Sequence, residues 1–182
     1  MNCFKAGILA GIIAACAAGP AGAQVIKLAT LAPEGSSWIK ALAGLNAELQ
    51  KKTDDRVRFK IYSGGVQGDE LDVVKKIRIG QLHAGGFTGV GLGQIAPEAR
   101  IFDAPWLFRD NAEVDYIYGA FAKELDSAFD KADYVLLGWV ELGWVYVFSK
   151  NPISLPEDMR SAKMWVWEGD PIAQAAYKAL GV

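Results

Sequence analysis

From residue 24 onward the apolar and polar positions of the chain switch between two periods. The run "VIKLATL" (25–31) predicts a short strand, closed by the turn residues Pro33, Glu34 and Gly35. Ser36 or Ser37 can then cap a helix, because Trp38, Leu42, Leu45 and Leu49 recur at helical spacing. "RVRFKIY" (56–62) alternates strictly through Val57, Phe59 and Ile61, the pattern of a half-buried strand. After the loop "SGGVQG", Asp69 can cap a second helix carrying Leu71, Val74 and Ile77 and stopped by Gly80. "QLHAGGFTG" (81–89) predicts a third strand that opens into a glycine-rich turn. A long helix is expected over 111–129, and "ADYVLLGWVEL" (132–142), "WVYVFSK" (144–150) and residues 163–167 again look like strands. Asp170 and Pro171 suit the cap and first position of a last helix, 170–180.

Strands alternating with helices predict an α/β fold built on a parallel or mixed sheet covered by helices on both faces. "SKNPISLPED" (149–158), with two prolines, reads as a connection between two lobes. Beyond it stand one strand and one helix. A lone βα unit cannot bury itself, so the second lobe is expected to be cut short or completed by something else.

The first residues follow a different logic. Lys5 precedes "AGILAGIIAA", an apolar stretch too short to span a bilayer, and "AGA" (21–23) offers the small residues of a signal-peptidase site. Residues 1–23 therefore read as a signal peptide, with "IAAC" ending at Cys16 as a competing lipid-attachment site. Both readings export the protein. Cys3 and Cys16 are the only cysteines, so cleavage after Ala23 would leave no thiol for a disulfide, a zinc site or a nucleophile.

Composition narrows the chemistry. The 182 residues are 52% hydrophobic and 22% charged with net charge −2, and no basic block exists to hold nucleic acid. His83 is the only histidine and stands in a predicted strand with no triad pattern around it, so a buried or edge role is expected. No ligand spacing suggests a metal, and no cofactor is expected. "GGFTGVGLG" (85–93) lacks both G-x-G-x-x-G in register and G-K-[ST]. It reads either as tight turns or as backbone closely approached by a ligand. Glu70, Glu141, Glu168 and Asp170 show no catalytic spacing. The richer signal is aromatic. Trp139, Trp144, Tyr146, Trp165 and Trp167 crowd the last third, where they could pack a core or line an apolar pocket. Trp165 and Trp167, one residue apart, would point the same way from a strand.

Four stretches in order carry a family resemblance: "IYSGGVQGDELDVVKKIRIGQLHAG" (61–85), "IFDAPWLFRD" (101–110), "NPISLPEDMRSAKMWV" (151–166) and "YKALGV" (177–182). Together with the leader they resemble the extracytoplasmic solute-binding proteins of TRAP (tripartite ATP-independent periplasmic) transporters, over residues 25–182. The resemblance implies a non-enzymatic periplasmic protein of two α/β lobes with mixed sheets around a cleft. Residues 24–150 would form the first lobe, and residues 151–182 the hinge connection and the start of the second. It implies as partners a small organic solute and the TRAP membrane permease subunits, and a monomeric state. An envelope lipid carrier or ligand sensor of the same fold, without a permease, is the rival reading.

The resemblance also brings expectations about the site. The family's arginine in the strand after "LPED" is replaced here by Trp165, and a second arginine position holds Val145 beside Trp144. An indole cannot make the bidentate pair that guanidinium makes with carboxylate, so an apolar or amphipathic solute is expected, or an organic acid bound without that arginine. The ligand-binding residues implied are Trp38, Glu70, Phe87, Thr88, Gly89, Glu141, Trp144, Trp165 and Trp167, with Glu168 or Glu141 as a polar handle for a hydroxyl or amine.

Overall fold

A computed structural model describes residues 23–182; the signal-peptide and Cys16 expectations lie outside the described residues. Its centre is a three-stranded parallel sheet in the order β2-β1-β3, from β1 (Gln24–Thr30), β2 (Val57–Tyr62) and β3 (Ala84–Gly86). Between them run α1 (Ser37–Lys52) and α2 (Glu70–Arg78), the crossovers that parallel pairing requires. Ser36 caps α1 by accepting from the Ile39 N–H, and Asp69 caps α2 through the Asp72 N–H. Gly80, at φ +73°, lets the chain leave α2 in the left-handed conformation.

Both outer elements of the sheet are pinned by side chains. Asn46 of α1 accepts from the Phe59 N–H at 2.7 Å and donates to the Phe59 carbonyl at 3.3 Å, which satisfies backbone on the edge strand β2. His83, just before β3, sits exposed with Nδ1 3.1 Å from both the Lys27 N–H and the Val25 carbonyl. The histidine is thus an edge residue that extends β3's pairing beyond its backbone.

Two core clusters follow. Ala29, Val73 and Leu82 pack between sheet and α2, while Val74, Ile95, Ala96, Ala99 and Phe129 form the second. The Phe87 ring touches both and joins them. The second cluster depends on α4 (Asn111–Lys131), which is capped by Asp110 and buries Leu125 and Phe129. Trp139 closes it, its ring 5.3 Å from Phe102, 5.4 Å from Tyr118 and 6.4 Å from Phe129.

The structure corrects several expectations. "GGFTGVGLG" is not a series of turns: Gly89–Ile95 forms α3, followed by a 3-10 helix over Pro97–Asp103. Isolated helix propensity argues against so glycine-rich a segment, and only tertiary contacts hold it. The third strand shrinks to three residues. The strands expected over 132–142, 144–150 and 163–167 are absent as regular elements. A strand exists only through its ladder, and no neighbouring strand among the described residues pairs with these runs. Val145 is 98% and Phe148 90% exposed, so the apolar pattern is present without a surface to cover it. The last helix, α5 (Pro171–Leu180), forms as expected with Asp170 as its cap.

Candidate functional site

At the C-terminal ends of β1 and β3, the chain turns through Phe87 and Thr88 into α3. Glu70, the first residue of α2 and only 3% exposed, shapes this turn. Its Oε1 accepts from the Thr88 N–H at 2.7 Å, and its Oε2 accepts from the Thr88 hydroxyl at 2.8 Å and the Gly91 N–H at 2.7 Å. Among the described residues no cation is bonded to it. The charge rests on donors at the start of α3, where helix N–H groups lack internal partners.

The glycines of α3 explain themselves in the same contacts. A Cβ on Gly91 would lie 2.5 Å from the Phe87 ring and 2.8 Å from Glu70 Oε2. One on Gly93 would meet the Arg100 stem at 2.5 Å, and one on Gly89 would overlap the Asp103 carboxylate. The close approach foreseen for this segment is therefore made by the protein's own side chains.

Arg100 and Asp103 stand three residues apart on the 3-10 helix. Arg100 Nε lies 3.3 Å from Asp103 Oδ2 but is out of line for a hydrogen bond. Its Nη2 donates to Asp170 Oδ1 at 2.5 Å, and that oxygen also accepts from the Ile172 and Ala173 N–H groups. The pair ties the start of α5 to the 3-10 helix, and Leu71, whose Cδ1 lies over Gly169, ties it to α2. Burial pushes the Asp103 carboxyl above its ordinary value of 3.8; Arg100 opposes the shift, and Asp170 and Glu70 add to it.

That shift has a sign. A raised folded-state pKa means the native state binds the proton more tightly than the unfolded chain. The contribution of Asp103 is fully present below pH 3.8 and is lost as the pH rises through the raised value. Asp103→Asn cannot ionise, so at pH 7 it should melt at or above the wild-type temperature, with the gap shrinking towards pH 4. Thermal melts between pH 4 and 8 check this, and a deficit that grows with pH would contradict it.

The expected ligand residues fall into two groups. Trp38, Glu70, Phe87, Thr88 and Gly89 gather at the strand ends. The Trp38 indole nitrogen lies over Gly86, 3.6 Å from where a Cβ would stand. Trp165 and Trp167 form a tilted pair, centroids 5.5 Å apart, three to five residues before Asp170. The rings do lie together, though no strand sets them there. Trp165 is 72% exposed, while Trp167 is half-buried. Glu141 and Trp144 join neither group; both are exposed on the irregular run, without a side-chain hydrogen bond or ring partner among the described residues. Arg100 and Asp103 were not foreseen. Their only trace in the sequence is an Arg and an Asp three apart in "PEARIFD". Among the described residues no cluster of three or more His, Cys, Asp or Glu could hold a metal ion, and no helix is long and apolar enough to cross a membrane.

The bacterial extracellular solute-binding proteins of family 7 match residues 28–182. The chain belongs to this family. A solute-binding protein of Verminephrobacter eiseniae is 31% identical over 138 residues, covering 74% of this chain and 41% of its relative. A TRAP periplasmic solute binding protein from Citrobacter koseri, with bound D-glucuronate, is 29% identical with TM-score 0.75, over 87% of this chain and 54% of that one. Another from Pseudomonas putida F1, also with D-glucuronate, is 25% identical with TM-score 0.79, over 87% and 52%. The chain thus spans about half the length of these solved proteins. Its α/β fold is that of part of a two-lobed TRAP solute-binding protein, a transport family and not a family of enzymes.

Proposed function

We propose that this chain belongs to the solute-capturing component of a TRAP-type transporter, working in the periplasm and passing its solute to membrane permease subunits. Residues 24–150 form the first lobe in this reading, and residues 151–182 the connection and the beginning of the second. Removal of residues 1–23 releases the protein as a monomer; lipid attachment at Cys16 would instead tether it to the membrane.

The solute we propose is a hydroxylated organic acid that presents one apolar face, rather than a purely apolar molecule. Two relatives at 25 and 29% identity hold D-glucuronate, which favours an acid. The observation that carries the apolar face is the Trp165–Trp167 pair, its Trp165 ring open to solvent, set beside the cap of α5. Aromatic rings supply contact area with little conformational entropy to lose. Trp38, Thr88 and Gly89 complete the site from the first lobe. Glu70 serves it indirectly by fixing the Thr88 turn, and Phe87 does so as core.

Calorimetry of the full-length exported protein against D-glucuronate, D-galacturonate and D-erythronate tests the reading. Trp165→Ala should weaken acid binding by about 1–3 kcal/mol, the scale of one apolar side chain buried on binding. The melting temperature of the ligand-free variant should hardly move, because little of this ring is covered. Absence of binding to all three acids, with a lipid or neutral apolar molecule co-purifying in native mass spectrometry, would instead favour the carrier reading.

A further inference from the structure

We infer that Arg100 and Asp103 are the polar seat of the site: Arg100 takes the carboxylate of the solute, and Asp103 accepts from the neighbouring hydroxyl. The inference rests on the acid reading above and deepens it.

The unspent hydrogen-bonding capacity of this cluster carries the proposal. A guanidinium has five N–H donors, and a largely buried one ordinarily spends them. The Arg100 side chain is 12% exposed, yet one nitrogen alone, Nη2, makes a hydrogen bond. Nε is buried and makes no hydrogen bond, only the out-of-line ion pair with Asp103 Oδ2 at 3.3 Å. Nη1 makes none either and, unlike Nε, keeps some solvent access. The two other half-buried basic residues among those described differ: Lys76 donates to the Gln67 carbonyl, and Lys27 belongs to β1 beside His83. Among the described basic residues only Arg100 reaches both groups of expected ligand residues, through Asp103 against Gly89 and through Asp170 beyond Trp167.

The acceptors of the cluster divide the same way. Glu70 has both oxygens committed, and Asp170 Oδ1 holds two N–H groups of α5. Asp103 accepts no hydrogen bond and is 38% exposed. Arg100 Nη1 and Asp103 Oδ1 thus have no partner among the described residues and stand on one ion pair, as carboxylate and hydroxyl stand together in a sugar acid. The Arg100 stem, laid across Gly93, and the Asp103 carboxylate, laid on Gly89, fix the pair from below. Planar guanidinium suits carboxylate where lysine would not.

Calorimetry with D-glucuronate, and D-glucose as its uncharged counterpart, separates the possibilities in the full-length protein. Wild type should bind the acid and not the neutral sugar. Arg100→Gln should lower acid affinity by about 100-fold, the scale of truncating one partner of a buried charge pair. Arg100→Lys, which keeps charge without the fork, should lose less and serves if the glutamine variant melts early. Asp103→Asn should lose about 10-fold. Asp170→Asn keeps the helix cap while removing the ion pair, and should leave the affinity unchanged or raise it. Equal losses in Arg100→Gln and Asp170→Asn would overturn the proposal, because Arg100 would then act only as a tie between segments. So would wild-type affinity in folded Arg100→Gln, and the acid reading would survive that result. A wild-type protein that binds no sugar acid sinks that reading and this inference together.

Discussion

Glu70→Gln should lower the melting temperature by about 6–24 °C, with two-state unfolding retained. The carboxylate accepts from three donors, the Thr88 N–H, the Thr88 hydroxyl and the Gly91 N–H, all between 2.7 and 2.8 Å. A glutamine keeps the shape but points an NH2 at donors that need an acceptor. Two hydrogen bonds to a charged group are worth about 1.5–3 kcal/mol each, so the loss is about 3–6 kcal/mol. For a chain of this size each kilocalorie moves the midpoint by about 2–4 °C. The damage should be local first. Amide exchange at Gly91 and along α3 should accelerate more than exchange in β1, because α3 is held by these bonds and little by its own propensity. A glutamine variant with unchanged melting but weakened solute binding would show that Glu70 faces the solute and does not brace the loop.

Phe129→Ala should cost about 3–5 kcal/mol of stability, the range for emptying a buried aromatic site. Phe129 is 2% exposed, lies among Val74, Ile95, Ala96 and Ala99, and meets the Trp139 ring edge-on. Nothing nearby is free to collapse into the space, since Trp139 is also braced by Phe102 and Tyr118. Phe121, on the same helix but 50% exposed, supplies the control: its alanine variant should stay within about 0.5 kcal/mol of wild type. Urea denaturation of both variants measures the difference, and similar midpoints would mean that α4 does not close this core.

The local elements of the first part were legible because their signals are local. Ser36, Asp69 and Asp170 announce caps within three residues of the groups they bind, and Val57, Phe59 and Ile61 alternate whatever lies beside them. The same holds for the run of α4, where periodicity continues over five turns. The α/β class rests on these patterns and the family resemblance on the four stretches quoted above, and both hold.

Other features needed the third dimension. A strand is a relation between segments, so apolar alternation over 134–149 could not say whether a partner stands beside it. Of the aromatic residues singled out in the last third, Trp139 went to the core and Trp165 to the surface, a division set by which neighbours each ring met. Helix α3 reads as a loop because its glycines are poor helix formers. They are there to admit Glu70, Asp103 and Arg100, which reach it from elsewhere in the chain. The sequence by itself determined the caps, the periods and the alternation of strands with helices, while the parallel pairing came from the sheet itself. Tertiary structure alone decided that Arg100 stands between Asp103 and Asp170, because a contact spanning seventy residues leaves no periodic trace.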